Sequence, residues 1–207
     1  MRYGGVKEKI RSTKESITLD NIVFTSAKHI HQMGWFDDLL WTPKRKCSIY
    51  LPKDLKELTG FEPDGGVFCL KENDYPSLVI EAKKGDKGGQ ADTDLSYKNI
   101  DSFLLPKGIN PNGRYIIFAQ GEGCQSNQYA KTKSDKGKWL RFKQVMEYHH
   151  GEKVGIYLNP SEWKQDQVIK IIFDELCKIT GQRPDVKLSS PPIKNVNDKF
   201  GVGKLDV

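Results

Sequence analysis

The sequence feature that most constrains the fold is an apolar run that ends in opposite charges, Ser77-Leu-Val-Ile-Glu-Ala-Lys83. Its apolar residues are consecutive and do not alternate with polar ones, which predicts a β-strand buried on both faces. Charged side chains at the end of such a strand are costly unless a metal or a partner compensates them. The run therefore predicts a buried strand that carries a chemically active group at its end.

Other apolar segments place this strand in an α/β fold. Strands are predicted at 47–51, 67–70, 115–119 and 154–158, and helices at 21–40, from Asp92 or Thr93 to 105, and from 160 to 180, with a short helical turn at 54–58. The strand at 67–70 is close enough to the run to form a hairpin with it. A helix between the run and the strand at 115–119 allows a parallel crossover. The predicted fold class is α/β, with a central mixed β-sheet flanked by helices.

Two of the helices carry more detailed predictions. The apolar face of the helix that ends near residue 105 is predicted to consist of Leu95, Ile100, Phe103 and Leu104. At the last helix, Asn159 as the cap, Pro160 at the first position and Glu162 at the third are typical of a helix start. Gly181 is predicted to end that helix.

Length and charge narrow the class of protein. The 207 residues predict a single domain, 1–207, with 1–20 and 185–207 as flexible or extended arms. Lys and Arg number 33 against 27 acidic residues, and the net charge of +6 permits a polyanionic partner without requiring one. There is no apolar stretch of membrane-spanning length, no signal-peptide core at the N-terminus and no CxxC pair. These features predict a cytoplasmic protein with reduced cysteines and no membrane partner.

Asp64, Glu81 and Lys83 form the candidate catalytic set. Side chains alternate along a strand, so Glu81 and Lys83 are expected on one face, and the hairpin would bring Asp64 toward it. Two carboxylates and the backbone carbonyl of Ala82 are the oxygen donors that Mg²⁺ prefers. Lys83 would then orient or deprotonate a water, or stabilise a pentavalent phosphate. Together these groups predict metal-assisted phosphodiester hydrolysis.

The same residues carry a family resemblance. Glu62-Pro-Asp-Gly-Gly-Val67 followed by Leu78-Val-Ile-Glu-Ala-Lys83 resembles the PD-(D/E)xK nucleases, and among them the type II restriction endonucleases of the EcoRI kind. The likeness spans residues 60 to 122. It implies a restriction-endonuclease-like core and an Mg²⁺-dependent homodimer that cleaves double-stranded DNA at a short palindrome, with a cognate DNA methyltransferase in the same system. By position, Asp64 and Glu81 would be the metal ligands and Lys83 the catalytic lysine.

DNA contacts are predicted next to this set. Lysines neutralise phosphates and glycines let a backbone approach them, which makes the loop at 84–90 a candidate, and 131–141 is a second basic stretch. The predicted DNA-binding residues are Lys84, Lys87, Gly88, Gly89, Gln90, Asp94 and Lys98. Solvated loops are the alternative for both stretches. The family has a longer arm here and an acidic-basic pair at the helix start, whereas this chain reads Asp94-Leu95, so no recognition sequence is implied.

Two other functions stay open. One is a repair, recombination or junction-resolving nuclease of the same fold, and the other is a DNA-binding module without catalysis. His149 and His150 are predicted to be surface residues rather than a metal site, because adjacent residues do not share a helix face. Trp35 and Trp41 are predicted to be core or interface residues rather than platforms for base stacking.

Overall fold

The structure is a computed structural model that describes residues 18–43, 47–50, 61–73, 75–84, 90–125 and 137–189. The helices in these ranges are α1 (Leu19–Gln32), α2 (Gln90–Leu104), α3 (Lys138–His150) and α4 (Gln165–Thr180). The strands are β1 (Leu39–Thr42), β2 (Gly66–Leu70), β3 (Leu78–Lys84), β4 (Arg114–Gln120) and β5 (Val154–Asn159).

The strands form one mixed sheet in the order β1-β2-β3-β4-β5. The pairs β1–β2 and β2–β3 are antiparallel, and β3–β4 and β4–β5 are parallel. The predicted hairpin is confirmed, with Gly66 of β2 opposite Ile80 of β3. The predicted crossover is confirmed as well, since α2 connects the parallel strands β3 and β4. The α/β fold class with a mixed sheet is therefore correct.

Helices cover both faces of the sheet and create two apolar cores. On the α2–α3 face, Val79 of β3 packs with Tyr115 and Ile117 of β4. On the α1–α4 face, Ile80 of β3 packs with Phe118 of β4. Successive residues of β3 point to opposite faces and both faces are covered, so its first five residues are all buried. This is the burial that the uninterrupted apolar run predicts.

Three local predictions near the N-terminal half are wrong or lie outside the described residues. The helix predicted at 21–40 ends at Gln32, and Leu39–Thr42 forms the strand β1. Cys47–Tyr50 is a 3₁₀ helix and not a strand. Its first residue, Cys47, is completely buried, and the Cys47 N–H donates to the Phe61 carbonyl at 3.1 Å. This hydrogen bond fixes the 3₁₀ helix against the segment that precedes β2. The short helix predicted at 54–58 lies outside the described residues.

The start of α4 and one face of α2 also differ from the prediction. α4 begins at Gln165, where the Gln167 side chain accepts a hydrogen bond from the Lys164 N–H at 3.1 Å. The Asn159 side chain instead accepts the N–H of Ser161 at 2.9 Å and holds the loop before the helix. Gly181, with φ of 69°, ends α4 as predicted. In α2, Leu95 is 50% exposed and does not belong to the apolar face.

The described part of the C-terminal segment packs against the fold. Residues 182–189 have no regular secondary structure, but Val186 and Leu188 contact the core of the α1–α4 face. His29 Nε2 of α1 lies 2.9 Å from the Ser189 carbonyl oxygen. The predicted arm residues 1–17 and 190–207 lie outside the described ranges. Among the residues described, no helix is long and apolar enough to cross a membrane.

Candidate active site

The turn Pro63-Asp-Gly-Gly66 brings Asp64 to the central strand. The Gly66 N–H donates to the Pro63 carbonyl at 3.0 Å, and the Gly65 N–H donates to the Ile80 carbonyl of β3 at 2.9 Å. A Cβ on Gly65 would lie 2.5 Å from Ile80 Cγ2, and one on Gly66, whose φ is +75°, would lie 2.5 Å from the Thr42 carbonyl oxygen. The turn therefore needs glycine at both positions to approach the sheet this closely.

The Asp64 side chain continues the strand pairing where the β2–β3 ladder ends. Asp64 Oδ2 accepts the backbone N–H of Ala82 at 3.1 Å, two residues beyond the last β2 partner, Ile80. In a strand the N–H and C=O of one residue face the same neighbour, so the Ala82 carbonyl faces the Asp64 side as well. The structure thus brings together the Asp64 carboxylate and the Ala82 backbone.

Glu81 and Lys83 lie on the α2–α3 face, at the end of β3. The Glu81 side chain is buried, with the residue only 4% exposed, and Lys83 Nζ donates to Glu81 Oε1. The other carboxylate oxygen, Glu81 Oε2, is buried and has no hydrogen-bond partner among the described residues. Burial raises the pKa of Glu81 to about 7, and the charge of Asp64 adds to this, although Lys83 opposes it. The fold therefore holds a carboxylate in a place that disfavours its charge.

Glu175 of α4 is a second buried carboxylate, and both of its oxygens are hydrogen-bonded. Arg114 Nε donates to Glu175 Oε2 at 2.6 Å, and Tyr157 Oη and Lys178 Nζ donate to Oε1 at 2.8 and 2.7 Å. Burial alone would raise the pKa of Glu175, but these hydrogen bonds and the Arg114 charge outweigh it and lower that pKa. Glu81 lacks such a set of donors, so its burial calls for a different explanation.

The oxygen donors around Glu81 fit Mg²⁺. Asp64 and Glu81 supply carboxylate oxygens and Ala82 supplies a carbonyl oxygen. Glu81 Oε2 is buried without a hydrogen-bond partner among the described residues, and such an oxygen is a suitable ligand for a hard cation. The set has two carboxylates. Within the described ranges, no group of three or more His, Cys, Asp or Glu side chains is arranged to hold a metal. Mg²⁺ is usually bound through one or two carboxylates and keeps several waters, which a pair of carboxylates such as Asp64 and Glu81 would allow.

The buried Tyr115 next to this set and the buried polar residues of α2 were not predicted from the sequence. Tyr115 of β4 is completely buried, and burial raises its pKa, with the Glu81 charge raising it further and an interaction with the Asn99 side chain lowering it. Thr93 and Ser96 are buried on the same helix as Asn99. The signal is the spacing of three small polar residues at intervals of three along α2, which places them on one face with Ile100.

The predicted DNA-binding residues are only partly described. Lys84 is exposed at the end of β3, and Asp94 and Lys98 are exposed on α2, one turn apart. Lys87, Gly88 and Gly89 lie outside the described residues, and so does the basic stretch up to residue 136. Gln90 is the first residue of α2.

The two basic residues that follow that stretch lie at the start of α3. Lys138 and Arg141 line a cavity of about 340 Å³ between α3 and α2, opposite Asp94. Two cations and a helix start at one cavity are compatible with an anionic partner.

The histidines and tryptophans that the sequence singled out have local partners. His150 Nε2 lies 3.0 Å from Asp101 Oδ1 and its side chain is 7% exposed, so His150 is not the surface residue that was predicted, whereas His149 is exposed. Trp35 and Trp41 are half-buried in an aromatic group beside α1. Trp41 Nε1 also donates to the Gly65 carbonyl at 2.9 Å, a contact that the sequence pattern does not reveal.

Comparison of the chain with protein-family models, with curated proteins and with solved structures finds no match. The resemblance to the PD-(D/E)xK nucleases therefore depends on the motif residues alone.

Proposed function

We propose that this chain is an Mg²⁺-dependent endonuclease that hydrolyses phosphodiester bonds of double-stranded DNA. The observation that carries the proposal is the state of Glu81. It is buried at the end of a central strand, one of its oxygens has no hydrogen-bond partner among the described residues, and Asp64 and Lys83 flank it. A buried carboxylate with a raised pKa, placed between an acidic residue and a lysine, is typical of a catalytic site.

Each residue has a distinct role in the proposed reaction. Asp64, Glu81 and the Ala82 carbonyl would hold Mg²⁺, which when bound offsets charge on the phosphate and makes a water more acidic. Lys83 is held next to Glu81 by their ion pair, and its ammonium group would stabilise negative charge on a phosphate oxygen or orient the attacking water. The hydrogen bond from Ala82 orients the Asp64 carboxylate without involving a flexible side chain.

The substrate and the cellular setting follow from charge and resemblance. The net charge of +6 and the cationic residues Lys84, Lys138 and Arg141 favour a polyanion. The motif favours the type II restriction endonucleases, which implies cytoplasmic activity of a homodimer at a short palindrome and a cognate DNA methyltransferase in the same system. A two-fold dimer would match a palindromic site, because the symmetry of the protein then mirrors that of the DNA.

The test is cleavage of supercoiled and linear DNA of varied sequence by the purified chain with Mg²⁺. Glu81→Ala and Lys83→Gln should each lower the cleavage rate at least about 100-fold. Glu72→Ala is the matched control, since Glu72 is an exposed carboxylate in the loop of the same hairpin, and it should leave the rate unchanged. Absence of cleavage in the wild type, or equal rates for Glu81→Ala and wild type, would contradict the proposal.

The pattern of products separates the three functions that the sequence left open. Discrete fragments from linear duplex DNA would support a restriction endonuclease. Cutting only at junctions, flaps or mismatches would indicate a repair or recombination nuclease. Binding that weakens steeply with salt, without Mg²⁺-dependent turnover, would indicate a DNA-binding module.

A further inference from the structure

We infer that Trp41 is a positioning residue for Asp64, an inference that rests on the proposed function and extends it to β1. Trp41 Nε1 donates to the carbonyl of Gly65, the residue that follows Asp64, at 2.9 Å. Trp41 lies opposite Phe68 in the β1–β2 register, so its indole reaches back along β2 to the turn. A residue outside the hairpin therefore contacts the backbone next to the candidate metal ligand.

The turn is held from two strands through one glycine. The Gly65 N–H is bound to the Ile80 carbonyl of β3, and the Gly65 carbonyl is bound to Trp41 of β1. Nearby, a Cβ added to Gly66 would lie 2.9 Å from Trp41 Nε1, so the indole packs directly against the turn. With both polar groups of Gly65 engaged, the peptide that follows Asp64 has little freedom to rotate.

Trp41 is itself anchored by aromatic neighbours. Its ring centroid lies 5.5 Å from that of Phe24 and 6.0 Å from that of His31, both on α1, and 6.5 Å from that of Phe68 on β2. The indole is therefore packed between α1 and β2. Loss of the N–H would leave the Gly65 carbonyl without this donor in a half-buried place, which favours movement of the turn.

The experiment compares Trp41→Phe with Trp35→Phe in the 207-residue chain. Phenylalanine at position 41 keeps an aromatic ring but removes the N–H. Trp35 is the matched control, because it packs against Phe173 and His29 at 5.7 Å in the same aromatic region without a hydrogen bond to the turn among the described residues. If Trp41→Phe fails to fold, 3-benzothienylalanine at position 41 preserves the shape of the indole and lacks the N–H.

Two measurements report on the positioning of Asp64. In the metal-free protein, hydrogen exchange of the Ala82 amide, which Asp64 accepts, should quicken about tenfold in the variant and stay unchanged in Trp35→Phe. The dissociation constant for Mn²⁺ used as a probe should rise about tenfold, in the range found for residues that orient metal ligands.

Unchanged exchange at Ala82 would overturn the inference, whether or not the chain cleaves DNA. A wild type that neither binds Mn²⁺ nor cleaves DNA would instead overturn the proposed function, and the positioning role with it. An equal loss of Mn²⁺ affinity in both tryptophan variants would also overturn the inference, because the effect would then be general to the aromatic region.

Discussion

The Asp64 carboxylate accepts the backbone N–H of Ala82 at 3.1 Å, immediately beyond the last residue pair of the β2–β3 ladder. Asp64 thus has a structural contact in addition to its proposed role as a metal ligand. The two roles need different properties, since the hydrogen bond requires an oxygen acceptor and the cation requires negative charge. A substitution that keeps the first and removes the second can separate them.

Asp64→Asn is such a substitution. The amide oxygen can still accept the Ala82 N–H, so the free energy of unfolding should change by less than about 1 kcal/mol. The lost charge should lower Mg²⁺-dependent cleavage at least about 100-fold. Chemical denaturation and plasmid cleavage measure the two effects, and cleavage at the wild-type rate would argue against Asp64 as a ligand.

Glu81→Gln should stabilise the metal-free protein at pH 8. Folding raises the pKa of Glu81 from 4.5 to about 7. The contribution of Glu81 to the free energy of unfolding is therefore complete below pH 4.5 and is lost as the pH rises to about 7. The difference in pKa corresponds to about 3 kcal/mol, which a neutral glutamine would recover above pH 7. Urea unfolding with EDTA at pH 8 and pH 4.5 checks this. A gain of the same size at both pH values would show that the ionisation of Glu81 is not the cause.

Glu175→Gln should destabilise the protein, in contrast to Glu81→Gln. It leaves Arg114 without a carboxylate in a buried place, which should cost about 3 kcal/mol at pH 7. Because the pKa of Glu175 is lowered from 4.5, its contribution is present above pH 4.5 and is lost as the pH falls through the lower value. Thermal unfolding at pH 7 and at pH values below 4.5 should show the difference between wild type and variant becoming smaller as the pH falls. A constant difference would contradict this origin.

Gly65→Ala should disrupt the turn more than an ordinary glycine substitution. Its Cβ would lie 2.5 Å from Ile80 Cγ2 and 2.8 Å from Val23 Cγ1, which requires the turn to move away from β3 at a cost of about 2 kcal/mol or more. Gly34→Ala is the control, because Gly34 has φ of +62° and nothing within 4 Å of a new Cβ, so it should cost only about 1 kcal/mol. Cleavage should fall in the first variant alone.

The elements that the sequence predicts well are those whose own residues determine them. β3 and β4 each contain consecutive apolar residues, 78–80 in β3 and 115–119 in β4, and burial of these residues on both faces follows from that pattern. β1 was missed inside a helix predicted to reach residue 40, because its short pattern has Leu40 exposed and half-buried residues beside it. α3 was missed because its buried face consists of Trp139, Phe142 and Met146 within a lysine-rich stretch, and only tertiary packing gives this spacing weight.

The residues of the candidate site also fall into those that the sequence predicts and those that depend on tertiary packing. Asp64, Glu81 and Lys83 could be predicted because a hairpin and strand alternation are enough to place them on one edge. The contacts of Trp41 and Tyr115 could not, because they depend on how β1 and β4 lie beside that hairpin. The start of α4 was mistaken for a related reason. Asn159 satisfies a local cap pattern, but its side chain binds Ser161 and Glu162, in the loop between Asn159 and α4.

The placement of β3 between an antiparallel and a parallel neighbour has a consequence for folding order. The β2–β3 hairpin joins segments that are close in the chain, so Asp64, Glu81 and Lys83 can meet early, while they are still hydrated. The pairing of β3 with β4 and the packing of α2 close a longer loop, and these steps remove water from Glu81. The geometry of the site is therefore a local property of the chain, whereas the burial that raises the pKa of Glu81 arises only when the parallel half of the sheet assembles.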